Sequence, residues 1–336
     1  MQIVAGLGSI DEYERFVKAG ADEFFCGYVP FSWAKKYGVM NPLNRREVLY
    51  YNVQIGSMSE LQILKKMVDY YGKPVKLTFN SLYYTEEQYP MIAEIITQCM
   101  QAGFKNFIIA DPALIVYLRQ QKIQCGIHLS GEMAEVNRIM LEQMLPFDIQ
   151  RVIFHRKNSL EDMQSCISHI KRMRISPEEY EAFILNELCH FSGAFCNSMH
   201  CDELTHLCRV PYELGNLYPE GKNLRQTFTD RYNGADEKEL PYDEDGYLTG
   251  STGCGLCALY RMRQIGITHL KLVGRGNYTD FMERDIRQLK KALELLNGSF
   301  SEADYQRKMK SVIFPRGCGR NCYYNDIKYS DNKKLE

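Results

Sequence analysis

Three stretches of this chain repeat one junction: KAGADEFFCGY at 18–28, QAGFKNFIIAD at 101–111 and QIGITHLKLVGR at 264–275. In each, a segment of helical periodicity ends at a glycine and an apolar run begins two or three residues later. Glycine suits the left-handed cap that closes a helix. Repeated helix–Gly–strand units imply parallel strands joined by crossover helices. The same alternation predicts strands at 2–8, 22–28, 75–80, 106–111, 124–130, 151–156, 181–187 and 269–274, eight in all. Amphipathic helices are expected over 9–19, 58–71, 85–101, 159–173 and 278–297. Ser9–Glu12 and Ser159–Asp162 read as capping boxes at two of their starts. Eight such strands fit a (β/α)8 TIM-like barrel. An open doubly wound sheet is the rival, but no GxGxxG loop follows the first strand.

A barrel of this class needs about 250 residues, and the chain has 336. The reading is a barrel over 1–298, with a Cys-rich insertion at 189–263 after strand seven, and a tail at 299–336. Lys plus Arg (41) nearly balance Asp plus Glu (42), so no broad basic field argues for nucleic acid, although a local basic pocket remains compatible. No window approaches the ~20 apolar residues of a membrane span, and the N-terminus lacks a signal-like pattern. A soluble cytoplasmic protein is expected. Disulfides are rare there, so clustered cysteines point to metal or redox chemistry. Cys26, Cys99, Cys125 and Cys166 are scattered and read as small buried hydrophobes.

The remaining eight of the twelve cysteines cluster. Residues 189–208 read CHFSGAFCNSMHCDELTHLC, with Cys189, Cys196, Cys201 and Cys208 beside three histidines. Cys254-x2-Cys257 and Cys318-x3-Cys322 follow. Thiolates select zinc, copper(I) or iron–sulfur clusters. Zinc favours tight knuckles; Cys254/Cys257 supplies the C-x2-C spacing, with Cys318/Cys322 as the nearest partner pair. Thiolates spread over several loops suit a larger iron–sulfur cluster. Neither C-x3-C-x2-C nor C-x2-C-x2-C occurs, nor does HExxH or GxSxG.

Chemistry in a barrel sits at the C-terminal ends of the strands. That rule places His128, Arg156, Glu187, Arg275 and Cys189 on one face. Arg156 and Arg275 could clamp a carboxylate or phosphate, or close salt bridges round the mouth. Lys271, in alternation along the last strand, would need a partner inside the barrel. Asn44-Arg45-Arg46 reads either as a second anion contact or as a solvated loop. The polar stretch 218–250 reads as a linker or as a cover over this face.

GADEFFCGY, IHLS with Asn137 after it, RVIFHRKNSLEDM, YEAFILNELCHFSGAFC, LCR and THLKLVGRG occur in that order. This pattern resembles peptidase family U32, the collagenase-like proteins, over nearly the whole chain. The resemblance implies a 4Fe–4S cluster held by Cys189, Cys196, Cys208 and Cys254, with Cys201, Cys257, Cys318 and Cys322 as alternates and zinc as the other metal. It implies dioxygen-independent hydroxylation of an RNA base or of a small aromatic or quinone precursor, with a prephenate-like oxygen donor. The alternatives are a peptidase, as the family label says, or a non-catalytic subunit working with a homologous partner chain. The chain departs from the family pattern in three places, one of them a shorter loop between the second and third cysteines. Ile184-Leu185-Asn186-Glu187 stands where many members have Phe-Val-His-Gly, and Val273 stands where many have glutamate.

Overall fold

The computed structural model describes residues 1–38, 41–45, 53–133, 136–173, 177–189, 196 and 242–324. Its strands are β1 (Gln2–Leu7), β2 (Glu23–Tyr28), β3 (Gln54–Ile55), β4 (Val75–Phe79), β5 (Asn106–Ile109), β6 (Gly126–Leu129), β7 (Ile149–Ile153), β8 (Glu179–Leu185) and β9 (His269–Leu272). All pair in parallel, in the order β1-β9-β8-β7-β6-β5-β4-β2, and β1 also pairs with β2, which closes an eight-stranded barrel. The eight predicted strands are those eight. The two-residue β3, absent from the sequence reading, attaches beside the end of β2.

The helices are α1 (Asp11–Ala19), α2 (Phe31–Tyr37), α3 (Met58–Tyr71), α4 (Tyr89–Gln101), α5 (Pro112–Gln120), α6 (Arg138–Met144), α7 (Leu160–Met173), α8 (Leu259–Ile265), α9 (Thr279–Asn297) and α10 (Glu302–Ile313). α8 overlaps the end of the stretch expected as an insertion and occupies the place of the barrel helix between β8 and β9. Among the described residues no helix is long and apolar enough to cross a membrane.

The junction glycines behave as their position requires. Gly20, Gly103 and Gly266 take φ of 115°, 96° and 99°, which a side chain would strain. Ser159 and Asp162 form the expected reciprocal box, each backbone N–H donating to the other's side chain at 3.0 Å. Only half of the Ser9 box forms. α1 starts after Ile10 without a side-chain cap, while the Glu12 carboxylate accepts from the Gly8 N–H at 2.7 Å and from the Ser9 backbone.

Successive strand residues face opposite ways. Outward residues such as Phe24, Leu77, Phe107, Ile127, Val152 and Leu270 are buried beneath the helices. Each such side chain contributes about 1.5–3 kcal/mol on leaving water. Cys26, Cys99, Cys125 and Cys166 are buried, as expected, and burial pushes the Cys26 and Cys99 thiols up to about 12. They are inert packing groups.

Candidate active site at the barrel mouth

The inward positions of the strands are unusually polar. Glu23, Lys76, His128, Arg151, Glu181, His269 and Lys271 are all buried. Arg151 organises the lower layer. Its Nη1 donates to Glu181 Oε2 at 2.8 Å, its Nη2 to Glu23 Oε2 at 3.0 Å and its Nε to Glu179 Oε2 at 2.9 Å. Lys271 Nζ donates to Glu181 Oε1 at 2.9 Å and lies 3.6 Å above the Phe25 ring. The partner that Lys271 required is therefore Glu181. The two ends of this pair titrate in the same downward direction. Burial would raise Glu181, but Lys271 and Arg151 together hold it down at about 2. Burial of the Lys271 ammonium lowers its pKa and outweighs the attraction of Glu181.

His128 belongs to this interior and does not line the pocket above it. It is almost fully buried, and its Nδ1 has no hydrogen-bond partner. Burial, and then the nearby Arg151, Lys76 and Lys271, hold its pKa well below the usual imidazole range. It is a neutral ring at neutral pH.

Above the network lies a pocket with about 80 Å³ of free space. Arg45, Arg156, Lys271 and Arg275 line it, with Glu132 and Glu187 as the acids. Formal charge there is net +2, four cations against two carboxylates. Arg156 follows β7. Its guanidinium lies 4.2 Å over the Phe183 ring and donates to Glu132 at 3.3 Å, while its Nε has no hydrogen-bond partner. A stacked arginine with spare donors is built to receive an anion. Arg275 follows β9 and donates through Nη1 to Asn44 Oδ1 at 2.9 Å and to Thr78 Oγ1 at 3.1 Å. Gly27 makes room for this arrangement: a Cβ there would lie 2.3 Å from Asn44 Oδ1 and 2.5 Å from Arg275 Nη1.

The sequence reading therefore located Arg156, Glu187 and Arg275 at one pocket. Asn44 is fully buried and Arg45 lines the cavity, so these two residues are not part of a solvated loop. Glu132, Thr78 and the Arg151 network escaped the sequence reading. The available signal was polar alternation: Lys76, Thr78 and Asn80 stand two apart in KLTFN.

Glu187 reaches the pocket through unusual backbone. Asn186 and Glu187 both have positive φ, 69° and 50°. Asn186 Nδ2 then donates to Asp285 of α9 at 2.7 Å. Burial lifts Asp285 to about 6 despite the donors Tyr247 and Asn186. Tyr247, near the end of the stretch 218–250, stacks on Phe281 of α9 with centroids 4.2 Å apart.

The thiols fall into two places. Cys189 lies close enough to Arg156 to act on its charge, and Cys196 is buried. Cys254, Cys257, Cys318 and Cys322 border a second cavity. Cys201, Cys208, Arg46 and the histidines at 190, 200 and 206 lie outside the described residues. Among the described residues no three His, Cys, Asp or Glu side chains are already gathered about one point as for a bound ion. By donor type, the thiolates Cys189 and Cys196 suit a soft metal or an iron–sulfur cluster.

Comparison with known proteins agrees with the sequence resemblance. The sequence model of Peptidase family U32 matches residues 8–333. The tRNA hydroxylation protein P of Escherichia coli (strain K12) is 22% identical over 328 residues, covering 87% of this chain and 68% of that protein. Among solved structures, the U32 peptidase Mk0906 aligns over 58% of this chain and 73% of its own, at 12% identity and a TM-score of 0.42. A ribulose-1,5-bisphosphate carboxylase/oxygenase from Pyrococcus horikoshii OT3 aligns over 91% of this chain and 62% of its own, at 9% identity and a TM-score of 0.48.

Proposed function

The chain belongs to peptidase family U32, and from that premise we propose that it hydroxylates a base of RNA in the cytoplasm without dioxygen, taking the oxygen from a small prephenate-like dicarboxylate. The observation that carries this reading is the cationic pocket at the strand ends, where Arg156 has spare donors and Arg275 is pinned by Asn44 and Thr78. Two arginines at one mouth match two carboxylates, which bidentate guanidinium contacts recognise well. The pocket's small volume admits a compact anion or a single extruded base, not a folded RNA. The substrate class follows the relative named for tRNA hydroxylation.

Cys189, Cys196 and Cys208 would hold the 4Fe–4S cluster that the family resemblance implies, and their donor type fits it. Such a cluster supplies electron transfer or Lewis-acid activation beside the pocket. Cys254, the fourth thiol of that set, faces the separate cavity. The work of the chain's own residues is to bind and orient. Arg156 and Arg275 fix the donor's carboxylates, and Phe183 holds the Arg156 plane. Lys271, kept in place by Glu181, adds positive potential from below.

The test is anaerobic incubation with unmodified tRNA and the dicarboxylate, read by nucleoside mass spectrometry. One added oxygen on one nucleoside is expected. Arg156→Lys and Arg275→Lys should each raise the KM for the donor about 10- to 100-fold, the loss of one charge-assisted bond, with a smaller change in kcat. An unaltered nucleoside profile with iron-loaded protein would overturn the reading. Peptide cleavage that survives Cys189→Ser would favour the peptidase.

A further inference from the structure

The function above leaves one feature unused. Cys254, Cys257, Cys318 and Cys322 border a single cavity of about 20 Å³. The first two belong to the segment that returns along β8, where Gly255 N–H donates to Ile184 O at 2.7 Å. The last two follow α10. Backbone bonds join the halves: Cys254 N–H donates to Asn321 O at 2.8 Å, and Tyr323 N–H donates to Cys254 O at 2.9 Å. Cys254 and Cys322 thus form an isolated parallel bridge. Leu256 N–H donates to Cys254, within the C-x2-C turn. The Cys318–Cys322 turn is tight, with Gly317 at φ 109° and Arg320 at φ 56°.

We propose that Cys254, Cys257, Cys318 and Cys322 form a four-thiolate site for one soft divalent cation, zinc by donor type, which clasps the C-terminal segment to the barrel. C-x2-C paired with C-x3-C is the spacing of closed tetrahedral zinc sites. The spacing favours one ion over a cluster, and the cavity of about 20 Å³ has room for one water-sized occupant. Lys310 and Arg320 border the cavity and offset the −2 charge of a zinc tetrathiolate. The thiols surround the space without converging on one point, so loading requires rotation about χ1 between staggered wells.

The clasp has a structural consequence for the barrel mouth. Tyr323, next to Cys322, donates its hydroxyl to the Asn186 carbonyl, and Tyr324 donates to Phe183 O at 2.7 Å. Phe183 is the ring beneath Arg156. The ion would hold the strand end that carries the pocket. It would take no part in the chemistry, and because it claims Cys254, a cluster on Cys189, Cys196 and Cys208 would need another fourth ligand.

The test uses the full chain, purified anaerobically under reducing conditions, stripped by chelator and titrated with zinc or with cobalt(II). One equivalent of zinc, a rise in Tm on loading, and the intense visible absorption of tetrahedral cobalt(II) thiolate are expected. Cys318→Ser and Cys322→Ser should abolish the absorption and the tight equivalent, with any iron unchanged. Cys189→Ser and Cys196→Ser should lose iron and keep the zinc. Should the serine variants fail to fold, the wild-type cobalt spectrum and Tm shift still decide. Wild-type protein that binds neither metal overturns the proposal. So does binding that survives both tail substitutions, iron with sulfide on these four thiols, or a disulfide among them in the reduced protein.

Discussion

Replacing Glu181 by glutamine probes the charge network beneath the pocket. Glu181 is fully buried on β8, with Oε1 accepting from Lys271 and Oε2 from Arg151. Burial raises its pKa, and the two cations more than reverse that, from 4.5 to about 2. A shift of that size corresponds to roughly 3 kcal/mol of charge-dependent stabilisation. Removing one partner of a buried ion pair typically costs about 3–5 kcal/mol, because the other charge is stranded. The two routes agree, so Glu181→Gln should lose about 3 kcal/mol at pH 7 in equilibrium urea unfolding. Arg151 keeps Glu23 and Glu179 in the variant, so Lys271 is the stranded group. The downward shift of Lys271 says that its own burial is unfavourable. Glu181→Leu combined with Lys271→Met should therefore recover most of the loss.

The pH dependence gives a second reading of the same perturbation. A depressed carboxylate contributes stability that is complete above its unfolded value and disappears as pH falls through the folded one. The Glu181 contribution is thus full above about 4.5 and lost towards about 2. The gap between wild type and Glu181→Gln should narrow across that window. A variant within about 0.5 kcal/mol of wild type at pH 7 would refute the reasoning, since that is the scatter of ordinary surface changes.

Gly27→Ala places a Cβ onto Asn44 and Arg275. It should break that bond and weaken anion binding about 10- to 100-fold, read by calorimetry with the dicarboxylate. Asp285→Asn tests the opposite titration: a carboxyl raised from 3.8 to about 6 favours folding most below its unfolded value and loses that contribution as pH rises through 6. Wild type should lose about 3 kcal/mol from this group between those limits, and the variant's stability profile should be flatter there. Glu187→Gly relieves a left-handed glutamate at about 1 kcal/mol, nearly offset by the entropy of glycine. Urea stability should stay within about 0.5 kcal/mol while activity falls.

The barrel was legible because its signals are local. A glycine with φ near 100° after a helix and an apolar run two residues later need no knowledge of the rest of the chain. Arg156, Glu187 and Arg275 were found by the same logic, since strand ends in a barrel share a face whatever their separation in sequence. Arg45 and Glu132 were less visible because they come from loops, whose course depends on what they pack against; Asn44 binds Arg275, 231 residues away. The interior network carries a local signal, alternating polar residues in apolar strands, plain at Lys271 and present also at Lys76 and Arg151.

Glu187 shows where the two kinds of reading meet. The family resemblance marks it as a departure, glutamate where many members have glycine. The fold gives the reason for the glycine: this position sits at φ 50°, following Asn186 at 69°. A side chain is strained there, and Glu187 nonetheless lines the pocket opposite Arg156 and Arg275. Strain kept at a pocket wall is a hallmark of functional sites. Most of the pocket's cations belong to strand-end positions the family pattern shares, so this carboxylate, a substitution within that pattern, is where the chain's own substrate preference should be sought.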